Sequence, residues 1–454
     1  MSWATEEMAQ VALGDKRLNR RAATLLEMLS AHPDQSIPAK AKDWAEMMAA
    51  YRFFDNDRVD EQKLLEPHRL QTIERMRAHE VVLCLEDTTQ IDQTTHRATT
   101  GLGPLYQPYQ RGMFLHPMLA VTPTGIALGV LGAKFYAREE NAVKLTPGEK
   151  ADRLIEEKES FRWLDGYRSM NELARESASQ LIYVADRESD FEELLAEAQG
   201  QPGHLLIRAR HDRFLEDDER MWNTVWTSPV VGEQTFEMKA RPGRSARMVQ
   251  QTLRAKKITL PETDKREKAI TITVVIAHEE NPPPGEEAVS WTLLTTLPVT
   301  SVQDVMRIVD YYRSRWSIEE YFKILKSGCK IEQLQLETAE RLKSAIALCM
   351  ITAYRILWMT KVGRETPDIP CDAVFEDEEW KVAYRYETGT VMPKIVPRLM
   401  EIIMIIAKMG GFPGRKSDGF PGAKTLWIGL GAIRGYLAIL ARFAENEAAR
   451  TKVT

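Results

Sequence analysis

Two short apolar runs, each closed by a cluster of acids, constrain this chain more than anything else in it. Val81-Val82-Leu83-Cys84-Leu85 ends at Glu86-Asp87-Thr88-Thr89, and Leu181-Ile182-Tyr183-Val184-Ala185 ends at Asp186-Arg187-Glu188-Ser189-Asp190. Runs of this length and β-branched content, bounded by polar residues, read as buried strands. Carboxylates just beyond the carboxyl ends of buried strands lie where open α/β sheets place their chemistry. Asp87 and Asp186 on neighbouring strands, joined by Glu319 on a packed helix, could hold two Mg²⁺ ions about 4 Å apart for in-line displacement at phosphorus. Hard divalent cations want oxygen ligands, and three carboxylates leave room for water and a substrate phosphate. Acids after strands also serve as turn formers and helix caps, and singly each aspartate fits that role as well.

The third carboxylate belongs to the stretch 312–326, Tyr-Arg-Ser-Arg-Trp-Ser-Ile-Glu-Glu-Tyr-Phe-Lys-Ile-Leu-Lys. Ser317 followed by Glu320 has the form of a capping box, which predicts a helix starting at Ile318. Ile318, Phe322 and Leu325 then share a core-facing stripe, and Glu319, Lys323 and Lys326 share the adjoining face. An acid in a first helical turn is favoured in its ionised form. One carboxylate with cations above it, and Tyr312, Arg315 and Trp316 just upstream, suits a metal ion gripping a phosphate chain. Alone, the segment reads equally as a solvated face with Glu–Lys support.

Taken in order, Glu-Asp-Thr-Thr, Ala-Asp-Arg-Glu-Ser-Asp and then Tyr312, Arg315, Glu319 and Lys326 resemble the YREK signature of bacterial cut-and-paste DDE transposases, the insertion-sequence-four group. The resemblance extends to Trp3 through Arg21, Ala50-Tyr51-Arg52-Phe53, Trp291-Thr292-Leu293-Leu294-Thr295, Gly410-Gly411-Phe412 and Leu426-Trp427. It implies a ribonuclease-H-like α/β catalytic core with a β-rich insertion, flanked by helical N- and C-terminal domains. It implies that Asp87, Asp186 and Glu319 ligate two Mg²⁺ (Mn²⁺ as substitute), while Tyr312, Arg315, Lys323, Lys326 and Arg208 hold DNA phosphates. Trp291 matches the family's base-flipping position, where an indole stacks on an extruded base; an isolated tryptophan otherwise reads as core. The implied reaction on double-stranded DNA runs from nicking of the transposon-end inverted repeats through a hairpin and its hydrolysis to strand transfer into target DNA. A homodimer on paired ends would carry it out. The rivals are a metal-dependent nuclease that cuts without joining, and a regulatory DNA-binding protein with a silent site.

Composition permits this without demanding it. The 454 residues are 44% apolar and 28% charged, with a formal net charge of −5. The negative balance argues mildly against nucleic acid, but binding depends on local clusters. Two basic clusters stand out. Lys16, Arg17, Arg20 and Arg21 share one side of a helix begun by Asp15, opposite a stripe of Leu18, Ala22, Leu25 and Leu29. Lys239 to Lys257 holds seven lysines and arginines and no acid. Either cluster alone reads as a solvated face; beside the carboxylates, DNA contact is the better reading. Cys84, Cys329, Cys349 and Cys371 lack zinc spacing, and His116 and His278 read as interior or edge residues. The amino terminus lacks the pattern of a signal peptide, and the apolar run 345–354 is too short to span a bilayer, so the cytoplasm is the expected compartment.

The expected organisation is a helical DNA-end reader over 1–70, the first part of the core over 71–204, the β-rich insertion over 205–298, the rest of the core with the Glu319 helix over 299–365, and a helical dimerisation piece over 366–454. A hairpin is expected from Met113–Val121 and Ile126–Tyr136 around Pro123-Thr124-Gly125. The acidic stretch Glu376-Asp377-Glu378-Glu379 reads as solvated surface. Leu426, Leu430, Ile433, Leu437 and Leu440 form a heptad stripe that serves either the monomer core or a dimer seam.

Overall fold

The computed structural model describes residues 2–451 except 108, 141–145, 147, 150–152, 216–218, 239–245, 264–267, 390–391 and 416–417. Five helices come first: α1 (Trp3–Glu7), α2 (Lys16–Ala31), α3 (Ile37–Lys40), α4 (Trp44–Phe54) and α5 (Glu61–Met76). Asp15, Asp43 and Asp60 cap α2, α4 and α5 by accepting backbone N–H bonds, the role short acidic side chains play at helix starts.

The sheet follows: β1 (Val81–Glu86), β2 (Thr89–Asp92), β3 (Gly103–Pro104), β4 (Arg111–Val121) and β5 (Ala127–Tyr136). After α6 (Phe161–Glu176) come β6 (Gln180–Ala185), α7 (Glu192–Glu197) and β7 (His204–Arg208). β4 pairs antiparallel with β1 on one side and β5 on the other, while β6 runs parallel to β1 and β7 parallel to β6. A meander continued by two parallel strands is the expected ribonuclease-H-like arrangement. β7, at the expected start of the insertion, pairs with β6 on one side and β11 on the other.

Beyond β7 lie α8 (Met221–Trp226), β8 (Gly232–Met238), β9 (Arg247–Leu260), β10 (Ile270–His278) and β11 (Ser290–Thr295). They extend the same sheet, in the order β7-β11-β10-β9-β8, because β11 pairs antiparallel with β7. Residues 232–295, expected as part of an insertion, thus continue the sheet begun by β1.

Strand alternation sorts the core into two layers. Leu83, Leu85, Ile182, Val184 and Leu206 face one layer, whereas Val82, Cys84, Leu181, Tyr183, Leu205 and Ile207 face the other with α6. Side chains of period two on strands covered on both faces give this division directly. Each fully buried leucine contributes about 1.5–3 kcal/mol of transfer free energy.

The first layer is built from both ends of the chain. After α9 (Val302–Ser314) and α10 (Trp316–Lys323), the long α11 (Ala339–Glu365) runs through it, followed by α12 (Asp377–Thr388), α13 (Leu399–Met409) and α14 (Ala423–Thr451). α11 packs on α5, β5, α2 and α14. It is longer than its apolar run and apolar enough by composition to cross a bilayer, but most of that window is buried inside the protein. Two polar knots tie the terminal helices in. The Glu7 carboxylate accepts from His68 Nδ1, and His68 Nε2 accepts the Val130 N–H at 2.9 Å. With the second nitrogen committed as acceptor, the proton sits on Nδ1. Glu379 is 2% exposed and lies between Arg355 of α11 (3.0 Å) and Arg434 of α14 (2.7 Å). The acidic stretch is therefore not all solvated: Glu379 is buried, and Glu376 accepts the Trp3 N–H at 2.7 Å.

Candidate active site

β1 and β6 end side by side, with Leu85 opposite Val184, so Asp87 and Asp186 emerge next to one another. Both acids also do local work. Asp87 Oδ1 accepts the Thr88 N–H at 2.7 Å, and Asp186 Oδ1 accepts the Glu188 N–H at 2.9 Å. Asp190 has a different fate: it is buried, pairs with Arg213 at 2.6 Å and accepts the backbone N–H groups of Arg210 and His211. It is a structural acid.

Glu319 lies in the first turn of α10, one turn beyond Arg315 at its junction with α9. Ser301 and Asp304 form the capping box that starts α9. The box expected at Ser317 does not form, because Arg315 keeps a right-handed helical conformation and the two helices run together. Ser317 is buried and turned to the β4–β5 hairpin, where its hydroxyl donates to Gly125 O at 3.4 Å; Ser314 donates to Pro123 O at 2.7 Å. Gly125 has φ +85°, and a Cβ there would stand 2.9 Å from Ser317 Oγ, so the hairpin turn fits against the helix junction only as glycine.

Arg315 joins the acids. Its guanidinium donates to Asp87 Oδ2 at 2.7 Å and reaches Glu319 Oε1 at 3.5 Å. Burial pushes the Asp87 carboxyl up to about 7; Arg315 pulls against that rise, and Asp186 and Glu319 add to it. Carboxylates from two strand ends and one helix thus face one another electrostatically, with one guanidinium between them. Among the described residues no three acidic, histidine or cysteine side chains already converge as a metal-ligand group. The donor set nonetheless suits a hard cation: three carboxylates, one of them mostly buried with its pKa raised.

The other expected residues divide. Tyr312 is buried and half-buried Arg208 lies close to it; burial raises the tyrosine and lowers the arginine. Arg208 also donates to Ser290 O at 3.1 Å. Trp291 is partly buried, stacked on Phe236 (5.8 Å between centroids) with its edge toward Tyr312 (5.9 Å), so it has packing partners beside the site. Trp316 and Lys323 are exposed. A π-helical turn, Ile324–Gly328, breaks the ladder after Lys323, and Lys326 pairs with Glu332 at 3.2 Å. The face shared by Glu319, Lys323 and Lys326 is therefore not a continuous α-helical stripe.

Arg17 and Arg20 project from α2 into solvent and Arg21 is half-exposed, away from the Leu25–Leu29 side that packs inward. The second basic cluster differs from expectation. Arg247 is bound by Glu279 and by Glu286 (2.8 Å), and Arg254 lies 3.6 Å from Glu280. Lys256 and Lys257 are exposed, and Lys239, Arg241 and Arg244 lie outside the described residues.

Sequence reading missed a group beneath the aspartates: Glu86, Thr88, His116 and Arg162. Thr88 Oγ1 lies 2.8 Å from His116 Nδ1 and accepts from Arg162 Nε at 3.0 Å. His116 Nε2 stands 3.2 Å from Glu86 Oε2, a close contact without good hydrogen-bond alignment. No local signal marks Arg162, because the side chains it bonds lie 74 and 26 residues away.

Three transposase family models match the chain in order: Transposase DNA-binding over residues 1–59, Transposase DDE domain over 143–355, and Transposase Tn5 dimerisation domain over 351–450. Asp186 and Glu319 fall within the second match and Asp87 precedes it. A solved structure, the cryo-EM structure of piggyBac transposase synaptic complex with hairpin DNA, aligns at 9% identity over 91% of this chain and 79% of that one. Its TM-score is 0.38.

Proposed function

The chain belongs to the DDE transposases of the Tn5 type, enzymes that cleave and transfer DNA, and from that premise we propose that Asp87, Asp186 and Glu319 are its three catalytic carboxylates. The observation that carries this is Arg315 set between Asp87 and Glu319, at the edge where β1 and β6 end. The three carboxylates would hold divalent cations, Mg²⁺ or Mn²⁺ in its place. When bound, such ions supply positive charge at the attacked phosphorus and lower the pKa of a water or 3′-hydroxyl nucleophile.

The remaining work falls to the chain's own groups. Arg315, Arg208, Lys323 and Lys326 supply positive charge to the phosphates on either side of the cut, and Tyr312, held close to Arg208 and Arg315, fixes their orientation. Trp316 offers an exposed ring at the same edge, and Trp291 a stacking surface for a base drawn out of the duplex. Arg17, Arg20 and Arg21 on α2 contact the backbone of double-stranded DNA at the transposon end, where phosphate contacts set register. The order of steps is nicking, hairpin formation and opening, then joining to target DNA, in the cytoplasm. Two copies of the chain act on paired ends, joined through α14.

Alanine at Asp87, Asp186 or Glu319 tests the assignment. Each variant should lose cleavage of an inverted-repeat duplex in Mg²⁺ by at least a thousandfold while binding it within about twofold, since affinity resides mostly in cationic contacts. Normal cutting by any one of them removes that residue from the triad.

A further inference from the structure

The two aspartates sit on separate loops, and one side chain reaches both. Arg162, on the first turn of α6, is 7% exposed. Its Nε donates to Thr88 Oγ1 at 3.0 Å, and the Thr88 N–H in turn holds Asp87 Oδ1 at 2.7 Å. Its Nη2 donates to Glu188 Oε2 at 2.7 Å, and the Glu188 N–H holds Asp186 Oδ1 at 2.9 Å. Its Nη1 donates to Glu159 O, so the planar fork is used on all sides.

The Thr88 end of this bridge is itself fixed from below. Thr88 Oγ1, which accepts from Arg162, also lies within hydrogen-bond distance of His116 Nδ1, and the far nitrogen of the imidazole faces Glu86 at 3.2 Å. Glu86 is 3% exposed and also accepts from Tyr183 OH. The edge of His116 meets Trp163 at 4.5 Å between centroids. α6 can approach this carboxylate because residue 166 is glycine: a Cβ there would lie 2.0 Å from Glu86 Oε1. Glu86, His116 and Arg162 are buried, and α6 separately places Trp163, Leu164, Tyr167 and Met170 in the core.

We infer that Arg162 is a positioning residue for the phosphoryl-transfer site, bracing the Asp87 and Asp186 loops at one separation through Thr88 and Glu188. The inference rests on the assignment of the two aspartates above. Carboxylates that must share cations gain affinity when their spacing is set before the ions arrive, because less order is then lost on binding. A fork that bonds two loops does this; a point charge cannot bond both in the same geometry.

The test uses this 454-residue chain on a transposon-end inverted-repeat duplex, with Mn²⁺ as probe. Calorimetry on the protein–DNA complex gives the Mn²⁺ concentration for half occupancy, beside circular dichroism and duplex affinity. Arg162→Ala should raise that concentration at least tenfold, with duplex affinity within about twofold and an unchanged spectrum. Arg162→Lys should recover part of the loss. Half occupancy equal to wild type in Arg162→Ala overturns the inference. If that variant fails to fold, Glu188→Ala, at a side chain about half exposed, removes the acceptor on the Asp186 side only and should raise the value severalfold; no change there overturns it equally. A wild-type complex that takes up no Mn²⁺ overturns the catalytic assignment and this inference with it.

Discussion

Arg315 donates to Asp87 at 2.7 Å from a helix more than two hundred residues further along the chain, and it is the counter-ion of a carboxyl whose pKa stands at about 7. The sign of the resulting pH dependence follows. Asp87 is raised above its ordinary 3.8, so its protonated form contributes stability that is fully present below 3.8 and lost as pH rises through about 7. Arg315 limits that loss. Arg315→Ala should therefore match wild type in melting temperature near pH 4 and fall progressively below it from pH 6 to 8.5, in buffer without divalent ions. Adding Asp87→Asn should remove the divergence. A gap that is constant with pH would show that Arg315 acts by packing alone.

The strand β9 separates structural from available cations. Arg247→Ala should cost about 1–3 kcal/mol in a urea titration, because Glu279 is left buried without its partner, and should leave the salt dependence of duplex binding unchanged. Lys256→Ala with Lys257→Ala should do the reverse: near-native stability, and a slope of log affinity against log salt reduced by roughly 0.9 for each phosphate no longer neutralised. Equal slopes before and after would make this face solubilising only.

On α14 the heptad stripe changes role partway along. Leu426, Leu430 and Ile433 are buried in the monomer, whereas Tyr436, Ile439, Leu440 and Phe443 are between 49% and 68% exposed. Leu430→Asp should unfold the C-terminal helices, since it places a carboxylate in the core. Leu440→Asp with Phe443→Asp should keep native circular dichroism and single-end binding, and lose two-copy complexes by light scattering. A paired complex surviving the double change would put the seam elsewhere.

Glu379 sets an acid limit on stability. Burial pushes its carboxyl up, but Arg355 and Arg434 outweigh this and hold it at about 2 against an ordinary 4.5. A depressed acid contributes stability present above 4.5 and lost as pH falls through about 2, here roughly 3 kcal/mol. Glu379→Gln should be less stable than wild type at pH 7 by an amount of that order, with the gap narrowing as the solution is acidified from pH 5 toward 3. A gap that widens instead would contradict the sign.

What could be read from the sequence follows the range of the forces involved. β1 and β6, with Asp87 and Asp186 at their ends, were legible because strand burial leaves its mark in five consecutive side chains. Whether Ser317 caps a helix was not, since that depends on Arg315 staying helical and on a hairpin turn near residue 125 docking against the junction. Glu379 looked like surface because its two arginines come from 24 residues before and 55 after. That β7 and β11 join the flanking strands into one sheet is not legible, because strand neighbours are not written locally. The heptad on α14 has the same limit: spacing gives a face, while only packing shows where the monomer stops using it.

The two polar knots that bind the chain's ends to its middle have a metrical consequence. Glu7 is tied through His68 to β5, and Ser30 through Arg434 to Glu379, so the helix bearing Arg17 and Arg20 cannot swing on a tether. On the proposed reading, the protein is a caliper: one jaw rests on the phosphates against α2, the other on the bond opposite Asp87. The number of base pairs between sequence read and bond cut is then engraved in side-chain packing, and a longer or shorter loop elsewhere in the chain leaves it as it was.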